Sequence, residues 1–314
     1  MIAFGLTVTE PAAYHQYARP GIRGAAEPDS EEFVFSAVGP VARGYNLLLD
    51  TAATRENLEA LVLVHPHAQI DDPDFCHKVR QALSDPEVGV VGCAGASGAS
   101  TLGWWEGTVS SGPVTHRYQE HGGGEMPAYG WTTPAPAPAE VDSIDGFLIV
   151  VSPWAVRNVR FDESLGMGLG FDVDFCHQVR AAGRKVVTAG IRMIHHHGLE
   201  LIEEETPWVE AHVQLAEKWD TELAEANEDA DGWKRRARRA EAEREAARAI
   251  TYGQVLHSDA RLLMLERAME EVSKSLSWRI TAPLRQASAA LRRRRQTSRQ
   301  PDSTRLISSL DSST

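Results

Sequence analysis

Cysteine is scarce in this sequence, which has only Cys76, Cys93 and Cys176 among its 314 residues. The number is odd, and no two of the three form a C-x-x-C pair. This pattern argues against a disulfide framework and against a cysteine-based zinc site. Because free thiols suit a reducing compartment, we expect a cytoplasmic protein.

Long apolar runs are also lacking. No stretch of about 18 consecutive apolar residues occurs, which argues against a membrane-spanning helix. Residues 1–8 are mostly apolar, but no basic region precedes them. They therefore predict a first β-strand and not a signal peptide.

Positive charge is deficient overall, and the charge is unevenly distributed. The formal net charge is −12, yet residues 221–314 contain 18 Lys or Arg and only 14 Asp or Glu. Residues 1–220 therefore carry the acidic surplus, which argues against nucleic acid as the main ligand of this part. The basic tail favours contact with an anionic surface.

Short apolar segments alternate with helical patterns through the first part of the chain. The predicted strands are 2–8, 33–38, 61–64, 88–93, 143–151 and 185–194. The predicted helices are 42–51, 75–83, 153–158 and 173–182. The alternation predicts an α/β fold with βαβ units around a mostly parallel sheet. In such sheets ligands bind beyond the carboxyl ends of the strands, so we weight motifs that directly follow a strand.

The composition changes after residue 220 and predicts three parts. Residues 1–220 form the α/β domain, 221–276 a helical or coiled-coil segment, and 277–314 a basic amphipathic segment with a disordered Ser-rich end. We call one apolar set the heptad seam: Val255, Leu262, Leu265, Met269, Val272 and Leu276. Its spacing predicts a coiled-coil or bundle contact, such as a homodimer through 255–276. Gly253 is expected to break the helix ahead of the seam.

Three clusters of chemically active residues follow predicted strands. They are the His65-Pro66-His67 motif, the glycine-rich stretch 168–175 with Asp172 and Asp174, and the histidine run 195–197. Imidazoles and carboxylates are competent ligands for a divalent metal, and alternate residues of a strand point to one side. The clusters therefore predict a shared cation site. A hydrolase with a metal-activated water would need much the same groups, so the residues alone leave the reaction open.

Residues 141–198 resemble the C-terminal half of a family-two-type glycosyltransferase, close to the StrF-like domain. The matching residues are Asp145-Gly146-Phe147, Phe161-Asp162-Glu163, the run 172–176, Ala182-Gly183 and the histidines. The resemblance extends towards the N-terminus as far as Gly44-Tyr45-Asn46 and towards the C-terminus as far as Lys218-Trp219. It implies a GT-A fold that binds a nucleotide-diphosphate sugar across the carboxyl edge of its sheet. It also implies a divalent cation, Mn2+ or Mg2+, on the diphosphate.

The resemblance also implies roles for individual residues. Asp172 matches the carboxylate base that takes the proton of the acceptor hydroxyl, which gives inversion at the anomeric carbon. The acceptor class is a hydroxyl of a glycan or glycolipid. The expected metal ligands are His65, His67, His195 and His197. The expected substrate-binding residues are Thr9, Glu10, Tyr45, Asn46, Asp145, Gly146 and Asp174, although for Asp174 the favoured role is to cap or orient its helix.

One departure from the family keeps a second interpretation open. Where the family has an acidic motif, this chain has His65-Pro66-His67, and a neutral imidazole offsets less metal charge than a carboxylate. The alternative is a catalytically impaired GT-A-like domain that acts as a binding or scaffold partner of another transferase. A separate structural interpretation makes Asp172 only a surface helix N-cap, a position that Asp favours.

The tail shows a further resemblance. Residues 275–285, SLSWRITAPLR, are similar to a segment at the ends of bacterial polysaccharide-assembly glycosyltransferases. Its apolar residues and the arginines at 292–295 are consistent with a peripheral position on the inner face of the membrane. A solvated helix with a basic end is the alternative.

Two other patterns have both a structural and a functional interpretation. Trp104, Trp105, Tyr129 and Trp131 either pack under a long loop or form an aromatic platform for a sugar ring. The segment 72–80 repeats the D-x-D-F-C-H pattern of 172–180. The repeat suggests either a duplicated metal site or two helices that bury similar residues, and the second account is simpler.

Overall fold

The computed structural model describes residues 1–36, 38–99, 102–119, 124–125, 134–165, 169–198, 202, 204–219, 228–275, 278, 280–281 and 283. It divides into two compact units, Met1–Ala260 and Arg261–Thr314. The first unit contains every β-strand described below. Of the second unit, the described part is helical up to Lys274.

The strands are β1 (Ile2–Val8), β2 (Glu31–Ser36), β3 (Ala60–Val64), β4 (Ala68–Ile70), β5 (Val88–Gly92), β6 (Ala94–Ser97), β7 (Thr108–Ser111), β8 (Val114–Tyr118), β9 (Gly124–Glu125), β10 (Ala135–Pro136), β11 (Ala139–Glu140), β12 (Ser143–Ile144), β13 (Leu148–Val151), β14 (Lys185–Thr188) and β15 (Met193–His197). The helices are α1 (Pro11–Ala13), α2 (Arg19–Ala25), α3 (Val41–Ala53), α4 (Phe75–Ala82), α5 (Pro153–Asn158), α6 (Phe171–Ala181), α7 (Glu205–Trp219) and α8 (Glu228–Lys274). A π-helical turn, Tyr14–Ala18, joins α1 to α2.

A seven-stranded sheet in the order β11-β14-β5-β13-β3-β1-β2 forms the centre of the first unit. From the strand pairings, β2, β1, β3, β5 and β14 run in one direction, and β13 and β11 run in the other. The sequence prediction of an α/β fold with a mostly parallel sheet and a helical tail is confirmed. Two four-stranded sheets flank it, in the orders β10-β7-β6-β12 and β4-β15-β8-β9.

Both faces of the central sheet are covered by helices, which explains its continuous apolar strands. All seven residues of β1 are buried. On one face, Phe4 and Val62 pack in a cluster with Ile22 of α2 and Phe75 of α4. On the other face, a second cluster joins Leu61 and Ile149 to α3, α5 and α6.

The predicted strand 143–151 is wrong in one respect, since it is two strands in different sheets. β12 pairs with β6 in a side sheet, whereas β13 pairs with β3 and β5 in the central sheet. The break is at Asp145, whose Oδ1 accepts a hydrogen bond of 3.1 Å from the Phe147 N–H. A carboxylate that bonds the backbone two residues ahead forms a turn and ends the extended run.

The predicted strand 185–194 is likewise two strands. β14 pairs with β5 in the central sheet, and β15 pairs with β4 and β8 in a side sheet. The histidine run therefore lies within β15 and not beyond the end of a strand. This difference decides which way each imidazole points.

The expectation that Gly253 breaks the tail helix is wrong, because α8 runs without interruption from Glu228 to Lys274. A single glycine inside a helix costs only about 1 kcal/mol relative to alanine. Packing opposes that cost, since Ala249, Leu256 and Ala260 around Gly253 are all buried. In the part of the chain that is described, no helix has the length and apolarity needed to cross a bilayer.

Candidate functional site

The side sheet β4-β15-β8-β9 brings two of the predicted clusters together. The His65-Pro66-His67 motif connects β3 to β4, and β4 pairs antiparallel with β15 so that Ala68 lies opposite His195. The rings of His65 and His195 have centroids 6.5 Å apart and meet edge to face. The imidazoles of these two clusters therefore lie close together, and their role as metal ligands stays a prediction.

The three histidines of β15 do not share one face of the strand. His195 and His197 lie on the same side, with ring centroids 4.4 Å apart. His196 lies on the opposite side, where it stacks on Tyr17 at 3.8 Å and has its Nε2 3.2 Å from Gln69 Oε1. The alternation follows from the two-residue period of a strand. It separates His195 and His197, which were predicted as ligands, from His196.

A histidine that the sequence prediction missed completes this group. His116 of β8 is directly opposite His195 in the parallel pairing of β8 with β15. Its Nδ1 is 2.9 Å from His197 Nε2, a hydrogen bond that requires a proton on one of the two nitrogens. One ligand atom from each of His116, His195 and His197 lies within 4.8 Å of the others, an arrangement able to hold a metal ion. No feature of the sequence marked His116, because β8 itself was not predicted.

His65 and His67 have closer partners in their own turn. His67 Nε2 is 3.1 Å from Glu10 Oε2, and the His67 backbone N–H donates to His65 Nδ1 at 3.3 Å. Glu10 follows β1, so this contact places one predicted substrate-binding residue beside the motif. Thr9, its neighbour, is exposed at the same strand end.

Burial sets the protonation state of the clustered histidines. It lowers the pKa of His65 to about 4, with a smaller contribution from His67. It lowers the pKa of His116 to about 4, aided by His197. The pKa of His195 lies well below its ordinary value for the same reason. These imidazoles are therefore neutral at pH 7, which is the form that binds metals.

Asp145 and Phe147 connect the histidines to the second predicted motif. The Phe147 ring stacks on His195 with centroids 4.6 Å apart, and the Phe147 carbonyl accepts a hydrogen bond of 3.0 Å from the His65 N–H. The Asp145 carboxylate accepts one hydrogen bond from the Phe147 N–H and a second, of 3.1 Å, from Trp104 Nε1. These bonds fix the backbone of residues 145–147.

Asp172 lies in the first turn of α6, against the backbone of Gly146. A Cβ atom built on Gly146 would be 2.9 Å from Asp172 Oδ2, so the close approach requires glycine at that position. The Asp172 Oδ1 accepts a hydrogen bond of 2.9 Å from the Val173 N–H. The N-cap of α6 is Gly170, with φ +73°, so Asp172 is not the N-cap that the structural interpretation predicts.

The two carboxyl groups have raised pKa values. Burial raises the pKa of Asp172 to about 6 against the hydrogen bonds from backbone N–H groups that lower it. Burial, followed by the charge of Asp172, raises the pKa of Asp145 to about 7. A carboxyl group with a pKa near the working pH is suited to accept and release a proton.

Three predicted substrate-binding residues are engaged within the protein. Tyr45 is 1% exposed and packs edge to face on Phe161 at 5.1 Å. Asn46 exchanges two hydrogen bonds of 2.9 Å with the Phe161 backbone. Asp174 is fully buried among Lys218, Trp219 and Gln178. Contact of these side chains with a donor stays a prediction.

The two remaining patterns have structural explanations in the described residues. Trp104 is 4% exposed, and Trp105 stacks on Trp208 of α7 at 5.7 Å, so both pack against other elements. Tyr129 and Trp131 lie outside the described residues. The repeated D-x-D-F-C-H segments both bury Phe and Cys, and Asp72 is bonded to Lys78 at 2.6 Å.

The chain is similar to a known protein family and to one named relative. The model of a glycosyltransferase-like family matches residues 15–229. The streptomycin biosynthesis protein StrF of Streptomyces griseus is 27% identical over 199 residues, which are 63% of this chain and 66% of the relative. The alignment thus spans slightly less than two thirds of that relative's length.

Solved structures show more distant likeness. The mannosyltransferase PcManGT from Pyrobaculum calidifontis, in complex with GDP-Man and Mn2+, has 14% identity and a TM-score of 0.45, with 89% of this chain and 82% of that chain covered. GalNAc-T7 with UDP, GalNAc and Mn2+ has 10% identity and a TM-score of 0.44, with 76% and 55% covered. Likeness at this level assigns no ligand to the present chain.

Proposed function

Since the chain belongs to the glycosyltransferase-like family, we propose that it is an inverting enzyme that transfers a sugar from a nucleotide diphosphate to a hydroxyl group. The proposed acceptor is a glycan or a glycolipid. The observation that carries this proposal is the position of Asp172, a carboxyl group with a pKa of about 6 beside Gly146. Residues 145–147 join it to the histidine cluster.

The proposed chemistry assigns one proton to one carboxylate. An oxygen of ionised Asp172 accepts the proton of the acceptor hydroxyl while the hydroxyl oxygen attacks the anomeric carbon. The bond from that carbon to the nucleotide diphosphate breaks, and its electron pair leaves with the diphosphate. Because attack and departure occur on opposite faces, the anomeric configuration inverts.

A divalent cation fits the residues at this site. The imidazoles of His116, His195 and His197 converge, and the neighbouring His65 and His67 extend the cluster towards Glu10. A cation held there, Mn2+ or Mg2+ by family resemblance, would neutralise the charge of the departing diphosphate. Thr9 and Glu10 at the end of β1 and Asp145 in the linking segment are the proposed donor or acceptor contacts.

Calorimetry of the full chain with a panel of UDP-, GDP- and dTDP-sugars, with and without Mn2+, tests donor binding. For the donor that binds, Asp172→Asn should reduce hydrolysis and transfer at least 100-fold while donor affinity stays within a few-fold of wild type. Circular dichroism confirms that the variant is folded. Full transfer by Asp172→Asn would refute the assignment of the base.

A scaffold function is the second candidate, and the His65-Pro66-His67 motif in place of an acidic motif is the observation that favours it. An impaired domain of this kind would bind a partner transferase through its tail. Absence of binding to every donor in the calorimetric panel, with or without the metal, would favour the scaffold over the enzyme.

The proposed partners of the tail are a second copy of the chain and an anionic membrane surface. In the second unit, four seam residues are exposed: Leu262 58%, Leu265 54%, Met269 72% and Val272 49%. An exposed apolar stripe with this spacing supports helix pairing through 255–276. Leu276 and the arginines at 292–295 lie outside the described residues.

A further inference from the structure

Three imidazoles on one face of a side sheet are the strongest feature that the proposed transfer does not fully explain. His195 and His197 project from one side of β15, and His116 faces them from β8. The ring of His195 lies 5.8 Å from that of His116, and the ring of His197 lies 5.1 Å from it. All three are half-buried.

The orientation of these rings is fixed by aromatic neighbours. Phe147 stacks on His195 at 4.6 Å, with an interplanar angle of 16°. Tyr118, which is fully buried, packs edge to face on His197 at 4.8 Å. The hydrogen bond between His116 Nδ1 and His197 Nε2 brings these two nitrogens together, and its proton moves to another ring nitrogen or to solvent when an ion binds. A site whose ligands are held by packing is preorganised for a metal.

We propose that His116, His195 and His197 form a three-imidazole centre for a transition-metal ion such as Zn2+ or Co2+, and that this centre discriminates against Mg2+. The proposal deepens the proposed function, on which it rests for its place beside the donor. It changes the expected ligand set, because His116 joins and the His65-Pro66-His67 motif leaves the inner ligand group. It also removes Mg2+ from the two cations that the family resemblance implies.

The chemistry of the donors gives the selectivity. Imidazole nitrogen suits zinc, copper, iron and nickel, whereas Mg2+ prefers carboxylate, carbonyl and water oxygens. The three converging residues contribute no carboxylate. A three-histidine set with an open fourth position is also a known arrangement for catalytic zinc.

The competing location is the turn at His65 and His67. In the structure His67 Nε2 contacts Glu10, and His65 Nδ1 accepts a hydrogen bond from the His67 backbone. These contacts occupy His67 Nε2 and His65 Nδ1, whereas His67 Nδ1 is buried without a hydrogen-bond partner. The proposal gives His65 and His67 the role of neighbours that position Glu10, and the variants below distinguish this role from direct ligation.

The test is metal binding by the full chain, stripped with a chelator and measured without any nucleotide sugar. We expect one Co2+ per chain with visible ligand-field absorption, displacement of Co2+ by Zn2+, and no displacement by a large excess of Mg2+. His116→Ala, His195→Ala and His197→Ala should each weaken Co2+ affinity at least 10-fold. His116→Gln repeats the test in case an alanine variant fails to fold.

The matched control is His196→Ala, which removes an imidazole from the same strand but from its opposite face. Its Co2+ affinity should stay within about threefold of wild type. The proposal is overturned if wild type binds no Co2+, if Mg2+ competes equally, if His196→Ala weakens binding as much as His116→Ala, or if only His65→Ala and His67→Ala weaken it. Because the titration contains no donor, its failure leaves glycosyl transfer to be judged separately by the Asp172→Asn assay.

Discussion

The ammonium group of Lys218 lies 2.7 Å from Oδ1 of Asp174, whose side chain is fully buried. The same oxygen accepts a hydrogen bond of 2.7 Å from Trp219 Nε1. The end of α7 is thereby fastened to α6, two residues beyond Asp172. Asp174 thus has a positioning function that its proximity to Asp172 in the sequence does not reveal.

Replacing Asp174 should cost much more stability than replacing an exposed carboxylate. Loss of the carboxylate leaves Trp219 Nε1 and Gln178 Nε2 without this acceptor, while Lys218 keeps its ion pair with Asp162 at 2.6 Å. Asp174→Ala should therefore lower the free energy of unfolding by about 1–3 kcal/mol. Asp50→Ala, which removes an exposed pair with Arg160 at 2.9 Å, is the control. That change should cost at most about 1 kcal/mol. If urea denaturation shows the same decrease in the free energy of unfolding for Asp174→Ala and Asp50→Ala, the contacts of Asp174 stabilise the fold no more than an exposed ion pair does.

Adding a methyl group at Gly146 should disturb catalysis more than folding. The Cβ atom would lie 2.9 Å from both Asp172 Oδ2 and the Phe171 ring, so the carboxylate must move. A displacement of about 1 Å can reduce a rate about 100-fold, and we expect kcat of Gly146→Ala to fall at least 10-fold. Gly24→Ala on α2, where a Cβ atom meets nothing within 4 Å, is the control. If steady-state kinetics give Gly146→Ala and Gly24→Ala the same kcat as wild type, the assigned geometry is wrong.

The rate of transfer should depend on pH through Asp172. The base must be ionised, and burial raises its pKa to about 6. We therefore expect kcat/KM to fall tenfold per pH unit below about pH 6 and to level off above it. Asp145→Asn should keep this acid limb, since Asp145 is already protonated there. A profile that is flat down to pH 5 would exclude Asp172 as the titrating base.

Stability should depend on pH through Asp145. Burial raises its pKa in the folded chain to about 7, whereas an Asp in the unfolded chain has a pKa of about 3.9. Between these values the folded state binds a proton that the unfolded state lacks, so stability decreases as pH rises from about 4 to about 7. Asp145→Asn removes this contribution. The melting temperature of the variant minus that of wild type should therefore be larger at pH 8 than at pH 5. If this difference is the same at both pH values, the pKa of Asp145 is not raised.

The heptad seam predicts a dimer that a single charge can dissociate. Leu265 is 54% exposed in the isolated chain, and burial of such side chains against a second copy would drive pairing. Leu265→Glu should convert a dimer to a monomer in sedimentation velocity. Arg267→Glu, on the same helix but outside the seam, should remain dimeric. Dimers that persist in Leu265→Glu would place the interface elsewhere.

Local patterns in the sequence determined the elements of the α/β domain. β1 was predicted with its observed bounds, Ile2–Val8, and so was α5, Pro153–Asn158. Hydrophobic runs, helix periodicity and turn residues act over a few neighbours, so one sequence is enough to recognise them. The same local reasoning identified the histidine run 195–197 and the stretch with Asp172 and Asp174, and the family resemblance then selected His195, His197 and Asp172.

The pairing of distant segments was decided only by the tertiary structure. The sequence could not show that β8 aligns His116 with His195, or that Lys218 and Trp219 enclose Asp174. It also could not show that Asp145 ends one strand and leads the chain into another sheet. These contacts depend on which strands become neighbours and in which register, and a shift of one residue would turn every side chain of β15 to the other face. The sequence thus determined which groups are available, and the register of the side sheet determined which of them meet.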